Sequence, residues 1–104
     1  MPNALNRAVT SSARSFRVSL EPKNSSGAGW GSGTSYWADY EAIGATAMAA
    51  LRAQGSKADF RFTFQPEVVP EAGDRLLLNG KYYEVQSVQV VDRARTIVLA
   101  QYVQ

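Results

Sequence analysis

Asp39 and Glu41 are the pair of side chains whose types and spacing come closest to those of a catalytic or metal-binding site. Residues two apart on a β-strand project from the same face, so these carboxylates could share a proton or bind a cation. No further ligand lies close to them in the sequence, and a solvated outer strand face has the same pattern. We therefore interpret both as surface residues.

Neither histidine nor cysteine occurs in the 104 residues. Histidine is the commonest general base and metal ligand, and cysteine supplies thiolate ligands and disulfides. Serine therefore lacks its usual catalytic partner, and the glycine-rich run GWGSG matches neither the dinucleotide-binding nor the phosphate-binding loop pattern. We expect no enzymatic activity, no catalytic or metal site and no cofactor.

Residues 23–35 form a stretch rich in small residues, with four glycines and five serines or threonines in thirteen positions. Such a composition cannot bury a core of its own and predicts a long flexible loop. A tolerated insertion and a disordered tip are two explanations, but loops of this length in small domains are often functional. An exposed indole is a good contact group, so we take Trp30, with Lys23, Asn24 and Ser35, as candidate partner-binding residues.

Alternating apolar residues and turn signals predict six strands, and an alanine-rich segment before Gly55 predicts one helix at residues 44–54. The predicted strands are residues 14–21, 36–43, 57–65, 74–78, 81–91 and 96–103. Asn79-Gly80 is a strong signal for a type I′ hairpin turn. The period of apolar residues changes near Gln86 and Ser87, which predicts a β-bulge or a bend.

These elements predict a mainly β, α+β fold, a small antiparallel six-stranded β-barrel with one short helix. The phenylalanines of the third strand would face the core, and Met48, Leu51 and Ala47 would form the buried stripe of a helix that fills one end or one side. The length fits a single domain, residues 1–104. Residues 1–13 would be a flexible N-terminal arm and residues 14–104 the barrel with its loop 23–35.

Basic residues are concentrated in the first third of the chain, where Arg7, Arg14, Arg17 and one lysine outnumber a single acidic residue. The net charge of the whole chain is only +2, which is small for a protein that binds nucleic acid tightly. The stretches FRF at 60–62 and KYY at 81–83 interleave rings and basic groups, as single-strand nucleic-acid platforms do. Inward rings alternating with outward charges explain the same pattern.

No stretch has the length and apolarity of a membrane-spanning helix. The first residues also lack an apolar run followed by a cleavage site. We therefore expect a chain made in the cytoplasm, without membrane contact.

Four motifs follow one another along most of the chain. They are FRVSLEP at 16–22, YWADYEAI at 36–43, DFRFTFQP at 59–66 and GDRLLLNGKYYEVQSVQVVDRARTIVLAQ at 73–101. In order and spacing they resemble the head–tail joining family of tailed phages, also known as the head-closure or stopper family. The segment IGATAMAALRAQ at 43–54 departs from the family pattern, because it lacks the acidic and polar residues that lead into the family's helix.

The resemblance implies a structural virion protein that forms a homo-oligomeric ring, expected to be a dodecamer, in the neck between head and tail. Such a ring would be assembled in the host cytoplasm, close the DNA-filled head and provide the docking surface for the tail. Its partners would be the portal or adaptor protein on the head side and the tail terminator or tail tube protein on the tail side. Packaged DNA would pass through its channel.

The resemblance also gives the candidate residues expected positions. Lys23, Asn24, Trp30 and Ser35 would lie in a loop that projects into the channel or onto the adjoining ring, whereas Arg7, Arg14 and Arg17 would lie near the portal or the DNA. Two alternatives stay open. The chain could be a tail-completion or tail-terminator subunit, which would also be a small β-rich ring former, or a small nucleic-acid-binding β-barrel.

Overall fold

The structure, a computed structural model, describes residues 16–103. Its elements are β1 (Phe16–Glu21), β2 (Thr34–Ala42), α1 (Ala45–Ala53), β3 (Phe60–Phe64), β4 (Arg75–Leu78), β5 (Lys81–Asp92) and β6 (Arg95–Val103). All neighbouring strands are antiparallel, in the order β1-β2-β3-β6-β5-β4, and β4 pairs with β1 to close a barrel. The predicted mainly β barrel with one short helix is confirmed. The predicted N-terminal arm, Arg7 and Arg14 lie outside the described residues.

The barrel interior is filled by one face of every strand. The fully buried side chains of greatest volume are Phe62, Phe64, Leu76, Val18, Val85, Val98 and Thr96. Phe62 stacks on Tyr40 with ring centroids 5.6 Å apart and meets the edge of Tyr83 at 5.2 Å. Phe60 is only half-buried, so the predicted phenylalanine face is right but its first member lies near the rim. Aromatic packing therefore supplies much of the apolar burial that stabilises the barrel.

The directions of the side chains in β2 and β6 complete the barrel interior. In β2 the inward residues are Tyr36, Ala38 and Tyr40, and the acidic residues face outward with Trp37. In β6 the side chains of Ile97 and Leu99 share the outer face. The inward residues of β6 are Thr96, Val98 and Ala100. Small inward residues fit here because large rings from neighbouring strands already occupy the interior.

The β4–β5 turn and the β5 bulge agree with the local sequence signals. Asn79 has φ 52° and Gly80 has φ 78°, the two positive values that a type I′ turn requires. The β5–β6 register shifts between Val85 and Ser87, which confirms the predicted bulge. A second shift lies close to the far end of the hairpin, between Val90 and Asp92, and was not predicted.

The helix α1 lies beside the outer barrel wall, which is one of the two expected positions, but it does not pack closely there. None of its residues is buried, and no Cα of α1 comes within 8 Å of a Cα of any strand. Met48 and Leu51 are half-buried and Ala47 is exposed, so the predicted buried stripe is wrong at Ala47. Alanine side chains offer little apolar surface, while Val68, from the connection between β3 and β4, packs into the core. Among residues 16–103, no helix is long and apolar enough to span a membrane.

Arg52 anchors the end of α1 to the following segment. Its Nη1 donates hydrogen bonds to the carbonyl oxygens of Ser56 at 3.1 Å and Ala58 at 2.7 Å. The chain then turns through Gly55, whose φ of 86° is a conformation that other residues rarely adopt. This turn delays the start of β3 to Phe60, three residues after the predicted start. The helix is therefore attached by its end and lies beside the barrel wall.

Candidate interaction surfaces

The glycine- and serine-rich stretch forms a hydrogen-bonded turn in the structure. Lys23 and Trp30 form an isolated antiparallel bridge, and the amide of Asn24 donates to the carbonyl oxygen of Gly29 at 3.1 Å. The Asn24 side chain also donates to the carbonyl oxygen of Ala28 at 2.9 Å. Ser35, predicted to end the loop, belongs to β2, opposite Ser19 of β1. The connection is therefore shorter than predicted, and its backbone bonds are largely its own.

Trp30 is bound to this chain's own barrel. Its Nε1 donates to the carbonyl oxygen of Gly73 at 2.9 Å, and its ring lies 4.2 Å from the guanidinium carbon of Arg75. Arg75 lies equally close to the ring of Tyr82, at 4.0 Å, and forms a salt bridge with Glu21 at 2.6 Å. Trp30 keeps 37 % of its surface exposed. The indole is thus exposed, as expected, but nothing in the sequence indicated Arg75 as its partner.

Asp74 provides a second attachment for the same loop. This buried carboxylate accepts hydrogen bonds from the backbone amides of Lys23 and Glu71, each at 2.9 Å. It therefore joins the loop to the connection between β3 and β4. An acidic residue directly after a glycine, at the start of a predicted strand, was the only sequence signal for this role. We call Trp30, Asp74, Arg75, Tyr82 and Glu21 together the loop latch.

Arg17 lies on the outer face of β1, directly opposite Trp37 of β2. Its guanidinium carbon lies 5.0 Å from the Trp37 ring, and that ring is 51 % exposed. Exposed rings next to basic groups are suited to contacts with proteins or with nucleic-acid bases. The other two candidate arginines, Arg7 and Arg14, lie outside residues 16–103, so whether the three form one basic surface stays a prediction.

Asp39 and Glu41 share the outer face of β2, as their spacing predicts. Glu41 lies opposite Arg61 of β3 and forms a salt bridge with it, whereas Asp39 lies opposite Thr63. In the described part of the chain, acidic side chains do not gather in groups of three or more that could hold a metal ion. The arrangement is that of a solvated strand face.

The two stretches of interleaved rings and basic groups do not form a stacking platform. Phe62 and Phe64 face the core, and Arg61 between them pairs with Glu41. In the second stretch, Tyr82 packs on Arg75 and Tyr83 is buried. Neither stretch therefore presents a row of rings to solvent.

Residues 87–95, at the far end of the β5–β6 hairpin, form the first surface that sequence reasoning did not identify. We call them the hairpin end. β4 pairs with β5 as far as Glu84, and Val85 makes two further backbone bonds, donating to the carbonyl oxygen of Asp74 and accepting from the amide of Gly73. Beyond that point β5 pairs only with β6 among the described residues, and Val90 and Val91 are 52 % and 38 % exposed. The hairpin end thus combines a free strand edge with exposed apolar side chains.

An open cavity of about 300 Å³ between α1 and the outer barrel wall forms the second surface. Its apolar lining comes from Ile43, Ala47, Ala50, Leu51 and Leu99, and Arg61 lies at its edge. We call this cavity the helix slot. It exists because α1 lies away from the wall, so apolar atoms on both sides meet solvent. The outward direction of Leu99 contributes to it, which the alternating pattern of β6 alone could not reveal.

The described surface is thus richer in contact groups than in reactive ones. Exposed large apolar residues also include Phe16, Trp37, Val69 and Val103. Scattered apolar residues are normal on protein surfaces, but a free strand edge and an open apolar slot are features that partners commonly cover. In comparisons with known proteins, the sequence matches no family model and no curated protein.

Proposed function

We propose that this chain is a structural subunit of a tailed-phage connector, forming a ring that closes the DNA-filled head and provides the docking surface for the tail. The order of the four sequence motifs supports the family, and the closed barrel is the fold that this family implies. The observation that carries the proposal is the surface of that barrel. Exposed Val90 and Val91, an open slot beside α1 and an edge of β5 that no strand within residues 16–103 covers all suit a subunit with several protein neighbours.

The loop latch fits such a role. Residues of a loop that contacts a channel or an adjoining ring have to be held in place for the contact to be specific. Asp74 and Arg75 hold both ends of the loop against the barrel, while Ser25, Ser26 and Ala28 at its tip are exposed. In this proposal the tip meets the adjoining ring or the channel, and Trp30 positions it.

A ring in the neck between head and tail would contact four kinds of partner. They are further copies of this chain, the portal or adaptor protein on the head side, the tail terminator or tail tube protein on the tail side, and the DNA in the channel. DNA passing through a ring needs no base-specific contact, so a net charge of +2 is compatible with this role.

Deletion of the gene from the phage or prophage that encodes the chain tests the proposal. We expect heads and tails to accumulate separately, with heads that package DNA and then lose it, and expression of the chain in trans should restore joined particles. A tail-terminator role would instead give tails of abnormal length. Normal yields of infectious particles after the deletion would refute both roles.

A nucleic-acid-binding barrel is the second candidate, and the exposed Arg17–Trp37 pair is the observation that favours it. A gel shift with single-stranded DNA at two salt concentrations tests it, because phosphate contacts make binding steeply salt-dependent. Salt-sensitive binding that Trp37→Ala abolishes would support this candidate over a connector subunit.

A further inference from the structure

The hairpin end and the helix slot lie on different parts of the same subunit. Leu99 of β6 lines the slot, and Arg95, where β6 begins, belongs to the hairpin end. The two residues are four positions apart along the strand, a distance of about 13 Å. Where the hairpin end of one copy sits on the slot of a second copy and the contact is not returned between the same two copies, it is heterologous, and contacts of this type build rings or filaments.

We infer that the hairpin end of one copy docks on the helix slot of a second copy, with Val90 and Val91 covering the slot and Arg93 and Arg95 facing Asp39. The inference rests on the proposed function and deepens it, because it identifies the contact between neighbouring subunits of the ring.

Apolar complementarity supports the contact. Val90 and Val91 are exposed at the hairpin end, and the slot is lined by the apolar side chains of α1 and the barrel wall. Burying these surfaces together removes apolar area from water on both copies. The helix gains most, because nine residues without a buried side chain form a marginal helix on their own.

Charge complementarity supports it independently. Arg93 and Arg95 are exposed, and neither forms an ion pair with another described side chain. Asp39 also lacks a described ion-pair partner, whereas its neighbour Glu41 uses Arg61. The contact would therefore bring Arg93 and Arg95 to a carboxylate for which the described residues supply no ion-pair partner, and such complementary charges favour correct partners over wrong ones.

The distance between the apolar and the charged groups is similar on the slot and on the hairpin end. In the strand register, Arg61 of β3 lies opposite Leu99, and both residues line the slot. Thr63, two positions further along β3, lies opposite Asp39. Asp39 thus lies about 7 Å from the slot along the strand direction. Val91 and Arg93 are also two positions apart, so one docked hairpin end can reach both the slot and the carboxylate.

Charge exchange tests the pairing. In the full chain, Arg93→Glu with Arg95→Glu, or Asp39→Lys alone, should abolish the oligomers that sedimentation velocity detects for the wild-type chain. A mixture of the two variants should restore them, because each contact in an alternating array again joins opposite charges. Lys57→Glu and Glu67→Lys are matched controls on exposed residues outside both surfaces, and they should leave assembly unchanged.

Cysteine cross-linking gives a second measurement that does not depend on charge. The chain has no cysteine, so Val91→Cys and Ala47→Cys can be introduced without competing thiols. Under oxidation the double variant should give a ladder of disulfide-linked multimers, whereas either single variant should give at most dimers.

The outcomes separate the inference from the proposed function. A double variant that gives no ladder, or a charge mixture that stays monomeric while both variants keep the wild-type circular dichroism, overturns the contact. A wild-type chain that is monomeric at every concentration also overturns it. The proposed function is tested by the gene deletion, so a connector phenotype with no such contact would mean that another surface joins the subunits.

Discussion

The guanidinium group of Arg75 lies over the ring of Trp30, 4.2 Å from its centroid, and so joins β4 to a loop that is distant in sequence. The same group lies 4.0 Å from the Tyr82 ring and bonds to Glu21. Arginine suits this position because its planar group can stack between rings while its edge donates to a carboxylate. The loop is therefore held to the barrel by a partly buried cation between two rings.

Arg75→Ala should lower the free energy of unfolding by about 2 kcal/mol, since it removes two ring contacts and leaves a partly buried carboxylate unpaired. Arg75→Lys should restore only part of the loss, because an ammonium group cannot stack in the same way. Equilibrium urea unfolding measures both. Arg61→Ala is the control, because its salt bridge with Glu41 is exposed and such pairs contribute little. Equal losses for Arg75→Ala and Arg61→Ala would contradict this role.

Asp74→Ala should loosen the loop without unfolding the barrel. The carboxylate accepts the amides of Lys23 and Glu71, and its loss leaves two partly buried donors without a partner, at a cost of about 2 kcal/mol. Hydrogen exchange resolved by residue should show faster exchange at those two amides than in the wild-type chain. Amides of β3, which lies between β2 and β6, should keep their protection. Uniformly faster exchange across the sheet would indicate a global effect instead.

Local signals were enough to predict much of the fold. The Asn79-Gly80 turn and the bulge after Val85 are encoded in adjacent residues, and both were found where expected. The strand alternation of β3 was equally direct, because its phenylalanines alternate with polar residues. Such features depend on backbone conformations that a few neighbouring side chains determine.

Contacts between distant residues could not be predicted in this way. Trp30 and the carbonyl of Gly73 are 43 positions apart, and only the closed barrel brings them together. The position of α1 depends on how completely other side chains fill the interior, which its own alanines do not indicate. The outward direction of Leu99 likewise depends on the size of the rings opposite β6. The candidate loop was thus identified from composition, but its attachment and both apolar surfaces required the three-dimensional structure.

The stability of the barrel should fall at alkaline pH because of Tyr83. Burial raises the pKa of this phenol above its usual value of 10.0, and the neighbouring Tyr40, Tyr102 and Asp59 raise it further. The folded state therefore retains the proton more strongly than the unfolded state, so the contribution is complete below pH 10 and is lost as the pH rises through the folded pKa.

Tyr83→Phe should reduce the loss of unfolding free energy between pH 9 and about pH 11 relative to the wild-type chain. Urea unfolding at each pH measures this difference, and Tyr36→Phe serves as the control for removing a hydroxyl from another inward tyrosine. An unchanged pH dependence in Tyr83→Phe would show that other groups cause the alkaline loss.

Changes at the exposed tip of the loop should affect particle assembly without lowering the stability that the loop latch provides. Ser25→Glu with Ala28→Glu changes two exposed side chains and leaves Trp30, Asp74 and Arg75 in place, so the free energy of unfolding should change by less than about 0.5 kcal/mol. If the tip contacts a neighbouring ring or the channel, particles carrying this variant should release DNA or fail to join tails. Plating efficiency and electron microscopy of the particles measure the effect. Ser32→Glu, an exposed change beyond Trp30, is the matched control, and equal defects in both variants would mean that added negative charge, rather than the tip itself, disturbs assembly.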